Sequence, residues 1–223
     1  VIMLNVLREK RNSLALSFVS GYADALFFIQ LGGLFVGLVT GNVVLIGLGL
    51  VGDEKGGLRG LQVLTFPLFM LGAGVAACIV ARINPLERAT FWTVILAAVL
   101  MASAAFFALF NGPTSACALV TVTAMGMLTG INRLDTRLGP PFSLMTGNIA
   151  GLAIGVARRL IGYSEKPEEW GQSLTSIVLV CGFVLGCAAG ALAQVTVGVA
   201  GMLVPALILV LLGLFYAPNK AAK

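Results

Sequence analysis

The residues best equipped for chemistry in this chain sit in surroundings hostile to charge. Asp24 follows Ser20 and Gly21 in the apolar passage Gly21 to Asn42, GYADALFFIQLGGLFVGLVTGN. A charged side chain at the centre of a bilayer costs about 2.5–3.5 kcal/mol on insertion scales. A lone acid there binds a proton or a cation, or pairs with an intramembrane base. The other reading is a protonated or helix-capping Asp.

The passage closes on Thr40, Gly41 and Asn42, and this triplet recurs 106 residues later as Thr146, Gly147 and Asn148. The second copy ends the looser passage Gly130 to Asn148, GINRLDTRLGPPFSLMTGN, in which Gly139, Pro140 and Pro141 stand where the first has Gly32 and Gly33. Gly followed by Asn continues a helix poorly, while Thr and Asn side chains replace lost backbone hydrogen bonds. Helices broken at matching places leave N–H and C=O groups free for a substrate or ion. Tight helix crossing with interhelical amide hydrogen bonds is the competing reading. Aligning Gly21 with Gly130 sets Asp24 opposite Arg133, beside Asn132, Asp135 and Arg137. That suggests an Asp24 to Arg133 pair or a shared polar cavity, although a solvated loop also accounts for the two arginines.

The elements that must position these residues follow from composition. At 59% hydrophobic and 10% charged residues, with a mean hydropathy of +1.02, the chain lies far from a soluble domain, where about a quarter of residues are charged. It reads as an all-α, multi-pass membrane protein, because lipid leaves backbone groups to be satisfied within helices and the runs are uniformly apolar rather than alternating. Eight apolar segments stand out, roughly 13–30, 34–51, 61–81, 90–110, 116–136, 141–157, 172–193 and 197–217. The second and sixth are candidates for short or re-entrant pieces, so about six to eight transmembrane or re-entrant segments are expected, with breaks at the two TGN triplets. Pro67 should kink the third.

A second landmark, Phe69-x-Leu71-Gly72 against Phe183-x-Leu185-Gly186, keeps the order of the first and divides the single membrane domain, 1–223, into similar halves, 13–112 and 113–217. Four crossings per half would give a parallel repeat, three an inverted one. With eight crossings, ten Lys and Arg fall on the side of both termini, and Arg82, Arg88, Arg133 and Arg137 on the other. The positive-inside rule then puts both termini in the cytoplasm. Gly182, Gly186, Gly190, Gly72 and Ala76 are spaced for close helix packing. The RRLIGYSEKPEEWGQ stretch, 158–172, reads as an interfacial loop with Tyr163 and Trp170 at the headgroup level.

Other functions find little support. Cys78, Cys117, Cys181 and Cys187 form no CxxC pattern and read as small buried packing residues, and the charged start VIMLNVLREKRNSLAL lacks a cleavage site for a removable signal peptide. GDEKGGLRG at 52–60 lacks P-loop spacing. Without His, a carboxylate pair in a span or a metal-ligand cluster, neither an enzyme nor a cofactor or metal site is expected. The net charge of +5 is scattered at segment ends and does not suggest nucleic acid.

The series Gly21 with Asp24, Gly32 and Gly33 with Phe35, and Thr40 to Asn42, with Met145 to Asn148 later, resembles the YoaK family of uncharacterised bacterial inner-membrane proteins. The resemblance implies an integral inner-membrane protein without an agreed substrate. The residues themselves point to a small secondary transporter of a polar or charged solute, with Asp24 as proton or cation site and the two breaks lining a cavity. An uncoupled channel or facilitator, and a non-transporting scaffold or sensor subunit, are the alternatives. The expected partners are the lipid bilayer and a small molecule or ion, and Gly-rich faces admit a homodimer.

Overall fold

The structure is a computed structural model and describes residues 2–50, 59–163 and 167–217. The helices are α1 Ile2–Leu31, α2 Val39–Leu50, α3 Arg59–Arg82, α4 Leu86–Leu109, α5 Thr114–Leu134, α6 Met145–Leu160, α7 Pro167–Val197 and α8 Leu203–Leu214, with 3-10 turns at Thr136–Leu138 and Gly198–Met202. Five helical runs are long and apolar enough to cross a membrane: Lys10–Leu31, Gly60–Arg82, Leu86–Leu109, Thr114–Leu134 and Gly171–Leu214. The chain is thus a helical protein of membrane type. Pro67 lies inside α3, which continues through it.

Helix ends follow local chemistry. Gly32 takes φ +70° and the Gly33 N–H donates to Phe28 O at 3.0 Å, the glycine cap that stops a helix by closing it on a carbonyl of its last turn. Residues 32–38 then turn back before α2 starts. The Lys/Glu stretch at 51–58 and residues 164–166 of the interfacial loop lie outside the described residues.

Two pairs of helices cross in parallel through glycine. A Cβ on Gly182 would stand 3.0 Å from Leu14 O, one on Gly186 2.2 Å from Phe18 O and one on Gly190 2.2 Å from Tyr22 O, so α7 runs alongside α1 in the same direction. In the other pair a Cβ on Gly72 would meet Thr123 O at 2.1 Å, and the sequence of contacts from Gly126 to Phe69 O at 2.2 Å and from Gly130 to Ala73 O at 3.2 Å sets α3 parallel to α5. Side-chain-free backbones approach each other at these points, the packing that apolar helices use when lipid supplies no hydrophobic drive. The packing role expected for Gly186 and Gly72 therefore holds.

Directions across the bundle differ from the simplest sequence expectation. Asn12, early in α1, donates to Arg137 O just beyond α5 at 2.9 Å, so α1 and α5 run antiparallel. The long apolar run from Gly171 reverses at Gly198, φ +64°. Tyr22 of α1 binds Gly201 O at 2.8 Å, and Tyr216, beyond α8, accepts from Asn12 at 2.7 Å, so α8 returns along α1. Taken singly, α2, with 12 described residues, and α6, with 16, fall short of about 30 Å at 1.5 Å per residue, whereas α8, also with 12, approaches that length together with the 3-10 turn Gly198–Met202 before it.

The same directions correct the distribution of charge. Arg82 ends α3, Arg88 lies in the first turn of α4, Arg133 lies in the last turn of α5 and Arg137 follows it, all at the end that also holds Lys10 and Arg11. Arg158 and Arg159 join them, because α6 runs antiparallel to α7, with Gly155 against Ser173 and Gly151 against Ser176. All eight basic side chains described thus lie at one end of the bundle. The turns 32–38, 110–113 and 198–202 at the other end contain none, and Arg59 opens α3 there.

Candidate functional site

Asp24 lies within α1, 3% exposed, and its carboxylate fastens the turn that leads into α2. The N–H groups of Val36 and Gly37 donate to Oδ1 at 2.8 and 2.7 Å, and that of Leu38 donates to Oδ2 at 3.0 Å. These amides precede the first turn of α2, where a helix leaves donors unsatisfied and favours negative charge. The carboxylate thus fastens the turn before α2, one residue short of the helix itself.

Asn42 clamps the same turn from within α2. Its Nδ2 donates to Phe35 O at 2.9 Å and to Thr65 Oγ1 at 3.1 Å, while its Oδ1 accepts from Phe35 N at 2.9 Å. Gln62 of α3 donates to Gly33 O at 2.9 Å. The turn is thereby tied to α1, α2 and α3 at once. Thr40 is exposed and Gly41 packs on the Phe35 ring.

The second passage has a comparable but sparser arrangement. Asn132 of α5, 4% exposed, donates to Gly139 O at 3.0 Å and accepts from Phe142 N at 3.4 Å. Asn148 of α6 donates to Pro141 O at 3.2 Å, across the same seven-residue separation as Asn42 and Phe35. Gly139 takes φ +91°, and Pro140 and Pro141 follow without amide donors. Thr146 and Gly147 are exposed. Both triplets therefore open a short helix instead of breaking a long one. The breaks are Gly32 with Gly33, and Gly139 with the two prolines.

The postulated Asp24 to Arg133 pair does not form. Arg133 is exposed at the end of α5, whereas the hydrogen bonds of Asp24 go to backbone amides. The residue of α5 that acts on its turn as Asp24 does is Asn132, one position before the partner chosen by aligning Gly21 with Gly130. Asp24 and Asn42 meet at one turn, Asn132 and Asn148 at the other. The cleft between α6 and α7 and the groove along α3 are lined by other residues.

Asp135 and Arg137 belong to a separate polar knot at the basic end. Asp135, 1% exposed, accepts from Arg137 Nε at 2.7 Å and Nη2 at 2.8 Å and from Thr90 Oγ1 at 2.5 Å. Arg137 also pairs with Glu87. Asn12 adds its bonds to Arg137 O and Tyr216, so the knot joins α1, α4, α5 and the end of α8. Of the cysteines, Cys117 is buried, Cys187 intermediate, and Cys78 and Cys181 exposed, so burial holds for one of the four.

One feature escaped sequence reasoning. Ser13, Ser17 and Ser20 precede Asp24 at helical spacing, and all three are buried. Together they form a hydroxyl stripe along α1 from the basic end to the carboxylate. The signal was legible as three hydroxyls at i, i+4 and i+7, but in an apolar helix single serines pass as packing residues.

No curated protein and no solved structure matches the chain. The family described as protein of unknown function (DUF1275) matches residues 13–215, in line with the resemblance carried by Gly21 to Asn42. The match covers nearly the whole chain, including both turns and both triplets, and the chain belongs to this family.

Proposed function

We propose that the protein is a small secondary transporter of a small polar or charged solute, coupled to a proton or cation through Asp24. The observation that carries this reading is the triple N–H grip of a buried carboxylate on the turn before α2. Ionised, Asp24 offers only acceptors to those amides. Protonated, it is a weaker acceptor and turns one oxygen into a donor facing donors. Charge on Asp24 then decides whether the turn is held or released, and the serine stripe supplies a hydroxyl route toward the basic end. The titratable side chain that faces Asp24 from α7 is Cys187; α5 contributes the thioether of Met125 beside Gly37.

The architecture that suits this reading is a pair of inverted repeats, 13–112 and 113–217, each with three crossings and one half-length helix. Supporting it are the antiparallel run of α1 and α5, the two glycine crossings, and the shared Asn-to-carbonyl tie across seven residues. Inverted repeats with interrupted helices are a recurrent transporter design. The gathering of the basic side chains at one end supports, through the positive-inside rule, a cytoplasmic position for that end and both termini, and the bacterial inner membrane is the expected site.

A channel is the second reading, favoured by two short helices that enter from opposite ends with their N-termini toward the interior. Uptake into proteoliposomes separates the two. Coupling requires solute uptake that depends on a pH or cation gradient and is lost in Asp24→Asn. Uptake indifferent to the gradient would identify a channel, and no flux across a broad panel of solutes would leave a scaffold or sensor subunit.

A further inference from the structure

Of the five long apolar runs, α3 is the one least covered by its neighbours, and part of its open face is hollowed. Leu71, Gly74, Val75, Cys78 and Ile79 recur along one helical stripe and line a groove of about 780 Å³ that ends at Arg82. Gly74 makes the hollow, since a Cβ there would meet nothing within 4 Å. Apart from Arg82 the walls are apolar side chains and one thiol.

The groove is as long as one leaflet is deep. From Leu71 to Arg82 the helix rises about 16 Å at 1.5 Å per residue, roughly half of a hydrocarbon core of about 30 Å. Arg82 closes α3 at the basic end of the bundle, so the groove descends from that membrane surface to about mid-depth. Its side chain is exposed and, among the described residues, has no hydrogen bond or ion pair. The described carboxylates at this end, Glu87 and Asp135, are both taken by Arg137. A guanidinium presents a fixed fork of N–H groups to a phosphate, and basic sites at this depth take anionic headgroups. An open fork above an apolar trough therefore complements a ligand with an anionic head and a hydrocarbon tail.

We propose that this groove holds one anionic phospholipid of the leaflet at the basic end, its phosphate on Arg82 and an acyl chain along Leu71, Gly74 and Cys78. A second copy of the chain fits the groove less well. A twofold axis along the membrane normal would set Arg82 against Arg82 at the mouth, where like charges repel. A packed helix would also run on past mid-depth, where the groove stops. The site is separate from Asp24 and stands whether or not the protein transports.

The test uses the full chain in mixed micelles and reads thermal unfolding as phosphatidylglycerol replaces phosphatidylcholine of the same acyl chains. Tm should rise with phosphatidylglycerol and stay level with glycerol 3-phosphate, which has the head but no tail. Arg82→Gln should weaken the response about tenfold, the loss of one charged hydrogen-bonding anchor, while Arg159→Gln, at the same end on α6, should keep it. Gly74→Leu fills the groove without altering charge and without meeting another part of the protein, and should abolish the response. No rise in the wild type, an equal rise with glycerol 3-phosphate, or an undiminished response in either Arg82→Gln or Gly74→Leu would overturn the proposal. So would a wild-type dimer, by light scattering, that Gly74→Leu splits, because the groove would then be an interface between copies.

Discussion

Replacing Asp24 with Asn changes few atoms and tests how the first turn is held. The amide oxygen can still accept from Val36 and Gly37, but an NH2 group now confronts the Leu38 N–H that Oδ2 accepted at 3.0 Å. A hydrogen bond to a charged group contributes about 1.5–3 kcal/mol against 0.5–1.5 for a neutral one. Weakening two bonds and losing a third therefore costs about 3.5–6 kcal/mol, part of which is offset by the relief from removing a buried charge. The assay is amide hydrogen exchange of residues 35–38 in detergent, with exchange in the middle of α4 as an internal reference. A local loss of about 2 kcal/mol corresponds to roughly 30-fold faster exchange, at 1.36 kcal/mol per decade. Exchange at 35–38 within a factor of two of wild type would show that the carboxylate does not hold the turn. Equal acceleration in α4 would mean that the whole fold, rather than the turn, had loosened.

Other perturbations follow from the same geometry. Gly186→Ala forces a Cβ against Phe18 O and should cost about 1–3 kcal/mol in reversible unfolding; Gly147→Ala, with nothing within 4 Å of its Cβ, should be neutral or stabilise by about 0.5 kcal/mol, and equal effects would contradict the crossing. Asn42→Ala removes three hydrogen bonds and strands both polar groups of Phe35, so it should lower stability by about 2–4 kcal/mol. Asn148→Ala removes one bond and should cost about 1 kcal/mol; matching losses would refute the difference between the turns. In a cysteine-free background, an impermeant maleimide added outside intact cells should label Phe110→Cys and spare Arg159→Cys. The reverse pattern would turn the protein over in the membrane.

Much of this fold was legible because lipid leaves the chain few choices. The apolar runs at 61–81, 90–110 and 116–136 fall on α3, α4 and α5, and the Gly-Gly and Gly-Pro-Pro breaks lie where α1 and the 3-10 turn after α5 end. What hydropathy cannot convey is depth. Val39–Leu50 is as apolar as a full span, yet it is short, and the amides just before it are tied to Asp24 well inside α1. Counting such helices as full crossings sent Arg82, Arg88, Arg133 and Arg137 to the end away from the other basic residues. The slip from Asn132 to Arg133 has a similar origin. Aligning glycines fixes register only to within a residue, whereas function in these turns depends on which side chain reaches a particular N–H, and that is a three-dimensional property.

Pro141 gives the last of these comparisons its weight. Where Phe35 both gives to and takes from Asn42, Pro141 can only take from Asn148, since its nitrogen carries no hydrogen. Two hinges with identical fastenings would yield equally, and a protein built on them would have no preferred resting posture. Here the turn at the poorly charged end is strapped by Asp24, Asn42 and Gln62, and residues 139–142 at the basic end by Asn132 and Asn148, next to the Asp135–Arg137 knot. The two turns thus carry unequal fastenings, a difference between the two faces that a missing hydrogen on one ring nitrogen helps to set.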